Sequence, residues 1–267
     1  MKIEWAYYTN RGKIRAENQD ALFVGGFGVI GDMRRPICGM TEDAERAFYC
    51  VIDGAGGHAS GEIASRTVAA EFVKSVPDLK AGQNRLTDVL NSIQDKMTAM
   101  ANRDPELAGM AAALAGVLLE PGALSAFNVG DCRVYVLRWG YLKKLTHDHS
   151  LVQILRDNDI IGDDEMRTHP DKARITSALE AGSPKHPEVF VHEEAPENPE
   201  TVLICSDGVW ESLSAVEIEK ALSRADRDFR AAADRLFDAL SASECGDNVS
   251  FILLNLSAGS VPKGAPA

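Results

Sequence analysis

Val51-Ile52-Asp53-Gly54-Ala55-Gly56-Gly57-His58 is the stretch on which the reading of this chain turns. The apolar run before it, residues 47–52, predicts a buried strand. Residues 61–76 after it predict a helix, with Ile63, Ala64, Val68, Phe72 and Val73 near helical spacing. A carboxylate is thereby placed at the end of a strand, ahead of a turn. Glycine suits such a turn because it tolerates positive φ and lets other groups approach the backbone. An aspartate held this way can reach a cation at the edge of a sheet. The pattern returns in Thr201-Val202-Leu203-Ile204-Cys205-Ser206-Asp207-Gly208, and Asp247 stands in Cys245-Gly246-Asp247-Asn248 before a last apolar run at 249–256. These three aspartates are expected to form one metal site.

Towards the N-terminus, residues 4–9 predict a first strand and Asn10-Arg11-Gly12 a turn. Lys13-Ile14-Arg15-Ala16-Glu17-Asn18-Gln19-Asp20 is polar, and an apolar run at 21–24 follows it, so Asp20 also borders a strand. Arg15 precedes that aspartate by five residues. Arginine is the side chain best suited to hold a phosphate through two parallel hydrogen bonds. Gly26-Phe27-Gly28-Val29-Ile30-Gly31 matches GxGxxG, but no helix opens after it, so it is not read as a nucleotide loop. Residues 31–46 are expected to be an irregular surface excursion.

Towards the C-terminus, residues 83–103 predict a second helix with Leu86, Val89, Leu90, Ile93, Met97 and Met100 on one face. Apolar runs at 112–119, 125–129, 133–138 and 141–145 are broken by Pro121-Gly122, Gly130-Asp131 and Trp139-Gly140. Turn signals this close predict antiparallel hairpins, with Asp131 in one of the turns. His147 and His149 flank Asp148 at the head of a predicted helix over 150–159, a spacing that does not suit zinc. Residues 159–186 are polar and loop-rich, too long for a simple connection, and are read as a lid or flap. Strands at 188–192 and 201–206 and helices at 214–223 and 229–240 complete the pattern. No linker divides the chain, and residues 257–267 are expected to be a disordered tail.

With 267 residues, 45% hydrophobic and 25% charged, the chain has an ordinary globular composition and room for a substantial core. The net charge is −12, from 28 basic and 40 acidic residues, with no basic stripe, which argues against nucleic acid or an anionic membrane as the main partner. The five cysteines form no CxxC pair and are read as small buried side chains in a reducing compartment. There is no signal-peptide core at Met1-Lys2-Ile3-Glu4-Trp5 and no apolar run of membrane-spanning length, so a cytoplasmic protein is expected.

Collected together, the strand-bordering carboxylates are Asp20, Asp53, Asp207 and Asp247, with Asp131 at a hairpin turn. Hard divalent ions such as Mg²⁺ and Mn²⁺ take such oxygen ligands, and the Gly54 carbonyl is a plausible further one. A cluster this negative calls for more than one cation. A pair of metals can activate a water and stabilise an in-line displacement. With Arg15 to hold a phosphate, the implied reaction is hydrolysis of a phosphate ester.

On these residues the chain resembles the metal-dependent protein phosphatases of the PPM/PP2C family, in their compact bacterial form. The resemblance runs from about residue 9 to residue 256. It rests on Arg15-Ala16-Glu17-Asn18-Gln19-Asp20, the stretch from Asp53 through Gly61-Glu62, Asn128-Val129-Gly130-Asp131-Cys132-Arg133, Thr146-His147-Asp148-His149-Ser150, His169-Pro170, Cys205-Ser206-Asp207-Gly208-Val209-Trp210 and Gly246-Asp247-Asn248. Each piece is weak alone; their joint order and spacing are specific.

The resemblance implies an α+β fold, a four-layer α-β-β-α sandwich around two mostly antiparallel sheets. It implies a single domain over 1–256 with a flap at about 151–183. Asp53 would bridge two Mn²⁺ or Mg²⁺ ions, the Gly54 carbonyl would bind one of them, and Asp207 and Asp247 would complete the pair. Asp20 would support the site or bind through water, Asp131 matches the position of a third, weaker metal, and Arg15 would grip the substrate phosphate. Substrates would be proteins carrying phosphoserine or phosphothreonine, with a separately encoded Ser/Thr kinase as the opposing enzyme. The compact form and the 31–46 insertion are also similar to phosphatases associated with type VI secretion.

Two positions depart from the pattern. Some relatives carry a histidine directly after the Asp-Gly, proposed as general acid; here Ala55 stands there, and His58 is not at the matching place. Where relatives carry Glu before the first-motif aspartate, this chain has Gln19, which lowers the charge near the metals without deleting a core ligand. Two rival readings of these motifs fit less well. A dinucleotide fold, from Gly54-Ala55-Gly56-Gly57-His58-Ala59 and Glu71, sets Asp53 against a pyrophosphate and conflicts with the antiparallel pattern after 110. A non-enzymatic relative would be expected to have lost some of the metal-site aspartates, and all are present.

Overall fold

The computed structural model describes residues 1–56, 60–79, 83–197, 200–223, 225 and 227–257. In chain order the elements are β1 (Lys2–Asn10), β2 (Asp20–Val24), β3 (Phe27–Ile30), β4 (Ile37–Thr41), β5 (Ala47–Ala55), α1 (Ser60–Ser75) and α2 (Gln83–Ala101). There follow β6 (Ala111–Glu120), β7 (Ala123–Val129), β8 (Arg133–Arg138), β9 (Tyr141–Lys144), α3 (Leu151–Asp157), α4 (Asp163–Thr168), β10 (Leu179–Glu180) and β11 (Phe190–Glu194). The chain closes with β12 (Glu200–Cys205), α5 (Asp207–Ser212), α6 (Ala215–Leu222), α7 (Phe229–Ala242) and β13 (Val249–Ser257).

One sheet runs β4-β1-β13-β12-β8-β9, the other β11-β7-β6-β5-β2-β3 with β10 beside β6. Every described ladder is antiparallel, as the closely spaced turn signals predict. Three apolar clusters hold the layers together. One joins α1 and α2 to the second sheet, one fills the space between the sheets, and one joins α6 and α7 to the first sheet. This is the expected four-layer α-β-β-α sandwich.

Both faces of each central strand are covered, so the apolar runs are continuous, and strand parity sorts their side chains. In β5, Phe48, Cys50 and Ile52 go to the helix side, while Tyr49 and Val51 go between the sheets. Asp53 is the next residue of the inter-sheet series. In β2, Leu22 and Val24 face the inter-sheet core, which puts Asp20 in the same series. In β12 and β13 the inter-sheet residues include Val202, Ile204, Ile252 and Leu254, so Ser206 and Ser250 continue that face. The two sheets thus present polar residues to each other at one end of a shared apolar core.

The helices follow their apolar stripes. Phe72 of α1 lies 5.0 Å from Phe48 and 5.9 Å from Phe23, centroid to centroid, and anchors that helix on the second sheet. Aromatic edges prefer such tilted contacts, which add to the area they bury.

The structure departs from the sequence reading in several places, among them β3 at Phe27–Ile30 and the continuation of β5 to Ala55, where no strand was expected. Residues 31–46 are not wholly irregular: β4 pairs with β1, so Gly39 sits opposite Trp5. A Cβ at Gly39 would come within 2.2 Å of the Trp5 ring, which explains the glycine in that strand. No flexible turn follows Asp207, because α5 begins there. The 159–186 segment contains α4, whose first turn holds Asp163, Asp164 and Glu165, as the helix dipole favours. The tail expectation for 257–267 falls outside the described residues from 258 on, as does His58.

Candidate metal centre

Five chain segments deliver carboxylates to the polar end of the inter-sheet space. Asp20 opens β2 and pairs directly with Asp53 across the β2–β5 ladder. Asp207 opens α5 at the end of β12, Asp247 stands two residues before β13, and Asp131 lies in the β7–β8 turn. The charges of Asp20, Asp207, Asp131 and Asp247 all act on Asp53, so the expected set does converge.

The backbone around Asp53 is tightly packed. The Gly54 N–H donates to the Gln19 carbonyl at 3.2 Å. A Cβ at Gly54 would lie 2.0 Å from the Gly61 carbonyl oxygen and 2.6 Å from that of Gln19. Close approach, not positive φ, is therefore what requires glycine at 54; positive φ belongs to Gly56, at +144°. A Cβ at Gly61 would in turn press to 2.8 Å from the Gly54 carbonyl oxygen and 2.9 Å from the Gln19 side chain. The neutral Gln19 thus lies against the start of α1.

Hydroxyls link the two sheets at this point. Ser206 Oγ donates to Asp20 Oδ2 at 3.2 Å and accepts from the Ser250 N–H at 3.1 Å. Asn248 organises the other side. Its Nδ2 donates to the carbonyls of Arg11 (3.1 Å) and Glu17 (2.9 Å), and its Oδ1 accepts from the Gln19 N–H at 2.8 Å. One buried amide thereby holds both ends of the loop that carries Arg15. On the rim, Arg15 Nη2 donates to Asp247 Oδ2 at 2.6 Å. The pair borders a cleft of about 540 Å³, which Lys172, Asp207, Glu211 and Cys245 also line.

The electrostatics are those of a site short of positive charge. Burial pushes the Asp20 carboxyl up to about 7, with repulsion by Asp247 adding to it and hydrogen bonds from Ser250 and Ser206 opposing. Burial likewise pushes Asp131 up to about 7, helped by the charge of Asp148 and opposed by Arg133. Asp53 and Asp207 are pushed well above the usual carboxylate range, first by burial and then by their aspartate neighbours. Arg15 is held charged, chiefly by its hydrogen bond with Asp247.

These residues fit hard divalent cations. All the side-chain donors are oxygens, and Asp20 Oδ1 and Asp131 Oδ1 are buried without a hydrogen-bond partner among the described residues. Buried polar atoms of this kind are costly unless something satisfies them. Among the described residues no three His, Cys, Asp or Glu side chains close round one point tightly enough to hold an ion by themselves.

The histidines flanking Asp148 are otherwise engaged. His147 Nε2 pairs with Asp157 at 2.7 Å, and His149 Nδ1 accepts from the Gly130 N–H at 3.1 Å. Sequence reasoning assigned no role to Ser206, Ser250, Asn248 or the ion pair of Lys172 with Glu211. Ser206 and Asn248 sit beside the motif aspartates and could have been flagged on that ground. The Lys172–Glu211 contact spans 39 positions and has no local signal.

A family model for protein phosphatase 2C matches residues 37–251. The chain belongs to the protein phosphatase 2C family. Among protein phosphatase 2C relatives, it is 27% identical over 258 residues to the serine/threonine protein phosphatase PstP of Mycobacterium tuberculosis, covering 96% of this chain and 45% of that protein. The chain therefore spans less than half the length of that relative. It is 29% identical over 256 residues to the serine/threonine phosphatase stp of Listeria monocytogenes, covering 93% of this chain and 94% of the other. The solved catalytic domain of PstP in complex with two manganese ions superposes with a TM-score of 0.76 at 26% identity, covering 97% of this chain and 100% of that one. The family match begins after Arg15 and Asp20, so those two residues are placed by the geometry above rather than by the family model. Among the described residues no helix is long and apolar enough to cross a membrane.

Proposed function

We propose that this chain is a metal-dependent protein serine/threonine phosphatase that hydrolyses phosphoserine and phosphothreonine in proteins. The observation that carries this reading is the gathering of Asp20, Asp131, Asp207 and Asp247 around Asp53, with Asp207, Asp247 and Arg15 lining a cleft. The serine/threonine phosphatase names of the relatives, and the two manganese ions in the PstP catalytic domain, support it.

In this reading Asp53, the Gly54 carbonyl, Asp207 and Asp247 hold two Mn²⁺ or Mg²⁺ ions, and Asp131 serves a third. Bound ions supply water activation and charge neutralisation for the in-line displacement at phosphorus. Asp20, oriented by Ser206, supports the site from behind Asp53. Arg15 exchanges its rim contact with Asp247 for the oxygens of the substrate phosphate, where a guanidinium offers two parallel donors. Asn248 keeps that arginine within reach by holding its loop. Residues 1–256 act as one domain, with 151–183 as a flap beside the cleft. The protein works in the cytoplasm on phosphoproteins, against a Ser/Thr kinase encoded separately.

Phosphate release from a phosphothreonine peptide, with Mn²⁺ and then with excess EDTA, tests this. Release that requires Mn²⁺ is expected. Mn²⁺ binding without release from any phosphopeptide would point instead to a regulatory module on the same fold.

A further inference from the structure

Arg133 and Trp210 lie outside the residues read as ligands, yet they meet directly behind two of them. The Arg133 guanidinium sits 3.6 Å over the Trp210 ring. Trp210 Nε1–H donates to the backbone carbonyl of Asp131 at 3.0 Å. Trp210 is also on α5, three residues after Asp207, so both project from one face of that helix. Arg133 follows Asp131 by two residues on β8. The stack therefore bolts the turn that carries one aspartate to the helix that carries another.

The same arginine reaches the root of the 151–183 segment. Its Nε and Nη2 donate to Asp148 Oδ2 at 2.9 and 2.5 Å, and its Nη1 donates to the Tyr135 hydroxyl at 3.0 Å. Beside Asp148, the His149 N–H donates to the Gly130 carbonyl at 2.8 Å, and the Gly130 N–H donates back to His149 Nδ1 at 3.1 Å. The Gly130-Asp131 turn is thus held from both sides, by Trp210 and by His149.

This network is a poor device for stability alone. The Arg133 and Asp148 side chains are 10% and 0% exposed, and a buried ion pair gains little over well-packed apolar residues. What it does supply is a fixed geometry, because a guanidinium, an indole N–H and a carboxylate each demand particular directions. The group whose placement it fixes is Asp131, which carries a buried carboxylate oxygen with no partner among the described residues.

We infer that Arg133 and Trp210 are positioning residues that present Asp131 to a divalent ion and set it in register with Asp207. This rests on the proposed metal-dependent reading and deepens it. The indole N–H is the specific element: it fixes the Asp131 backbone, and through it the side chain.

The test compares the wild type with Trp210→Phe, Arg133→Met and the benchmark Asp131→Ala. Trp210→Phe keeps an aromatic face under Arg133 but removes the N–H. Mn²⁺ binding is followed by calorimetry and by electron paramagnetic resonance counting of free ion, beside thermal melting. Trp210→Phe should weaken the weakest class of Mn²⁺ site by about 10-fold, the loss typical when a partner that orients a ligand is removed, and leave the tighter sites unchanged. Asp131→Ala should delete that class. Phosphate release by Trp210→Phe should fall in kcat at limiting Mn²⁺, recover in excess Mn²⁺ and keep its KM. Folded Trp210→Phe and Arg133→Met with wild-type Mn²⁺ isotherms would overturn the inference. So would an equal weakening of every site together with a lowered melting temperature, which is what a merely structural role predicts. A wild type that binds no Mn²⁺ would overturn the metal-dependent reading itself.

Discussion

Arg15 and Asp247, 232 positions apart in the chain, meet at 2.6 Å on the rim of the cleft. Asp247 uses both carboxylate oxygens: Oδ2 accepts from Arg15, and Oδ1 accepts from the Asn248 N–H at 2.8 Å. The residue best suited to hold a phosphate is thus parked on one of the proposed metal ligands. The pair is partly exposed, with side chains 56% and 32% accessible, so it is a weak tether that a stronger partner can displace.

Arg15→Ala should therefore act mainly on substrate binding. A charge-assisted hydrogen bond contributes about 1.5–3 kcal/mol, so KM for a phosphopeptide should rise about 10-fold or more, with a smaller change in kcat. Inhibition by free phosphate should weaken in parallel. Steady-state kinetics at fixed Mn²⁺ checks this, and a fall confined to kcat would contradict it.

Asp53→Asn removes the charge that the other aspartates oppose most directly. Without added metal, its melting temperature at about pH 8 should lie above the wild type, because repulsion among buried carboxylates is relieved. The rise produced by Mn²⁺ should shrink, and phosphate release should fall by at least about 100-fold, since even an indirect partner of a metal ligand can carry that much. A variant that is both less stable without metal and fully active would remove Asp53 from the site.

The pH dependence follows from the raised carboxyls. Asp20 and Asp131 are pushed by burial up to about 7, and Asp53 and Asp207 well above the usual range. A carboxyl with a folded value above its unfolded value binds more protons when folded. The ion-free fold then loses stability as pH rises from the unfolded value of about 4 through about 7. His149, lowered by burial, works in the opposite sense, but it is one group against four. Without metal, the melting temperature should be higher at about pH 5.5 than at about pH 8, and the increment from Mn²⁺ should be larger at about pH 8. Thermal melts with EDTA and with Mn²⁺ at both values decide it.

Asn248→Ala strips three hydrogen bonds from the Arg15 loop and leaves the Arg11 and Glu17 carbonyls and the Gln19 N–H without that partner. A loss of about 1–3 kcal/mol is expected from urea unfolding. KM should rise together with it, because Arg15 rides on the loop. Asn248→Asp keeps the acceptor for Gln19 but sets a carboxylate oxygen against the Arg11 and Glu17 carbonyls, so it should cost at least as much as Asn248→Ala.

Much of this was legible in the linear chain. The continuous apolar runs at 47–52, 201–206 and 249–256 are strands covered on both faces, and the spacing of Pro-Gly, Gly-Asp and Trp-Gly turns sets the antiparallel order. Each candidate aspartate borders such a run or turn, and the charges of the other four all act on Asp53. Short-range signals fail where long-range packing decides. β4 is a strand only because β1 offers it an edge, and α5 starts at Asp207 although Asp-Gly reads locally as a turn.

By itself, then, the sequence determined which residues alternate between faces, where the chain turns, and which oxygen ligands stand at strand ends, because these depend on residues a few positions apart. The tertiary structure alone decided that Asp20, Asp53, Ser206 and Ser250 share the inter-sheet face at one end. It alone decided that Asn248 grips the Arg15 loop from 231 positions away, and that Trp210 donates to Asp131 across 79. Those contacts form when two sheets close on a common core. They fall at that end because the buried polar groups there must find partners once water is excluded.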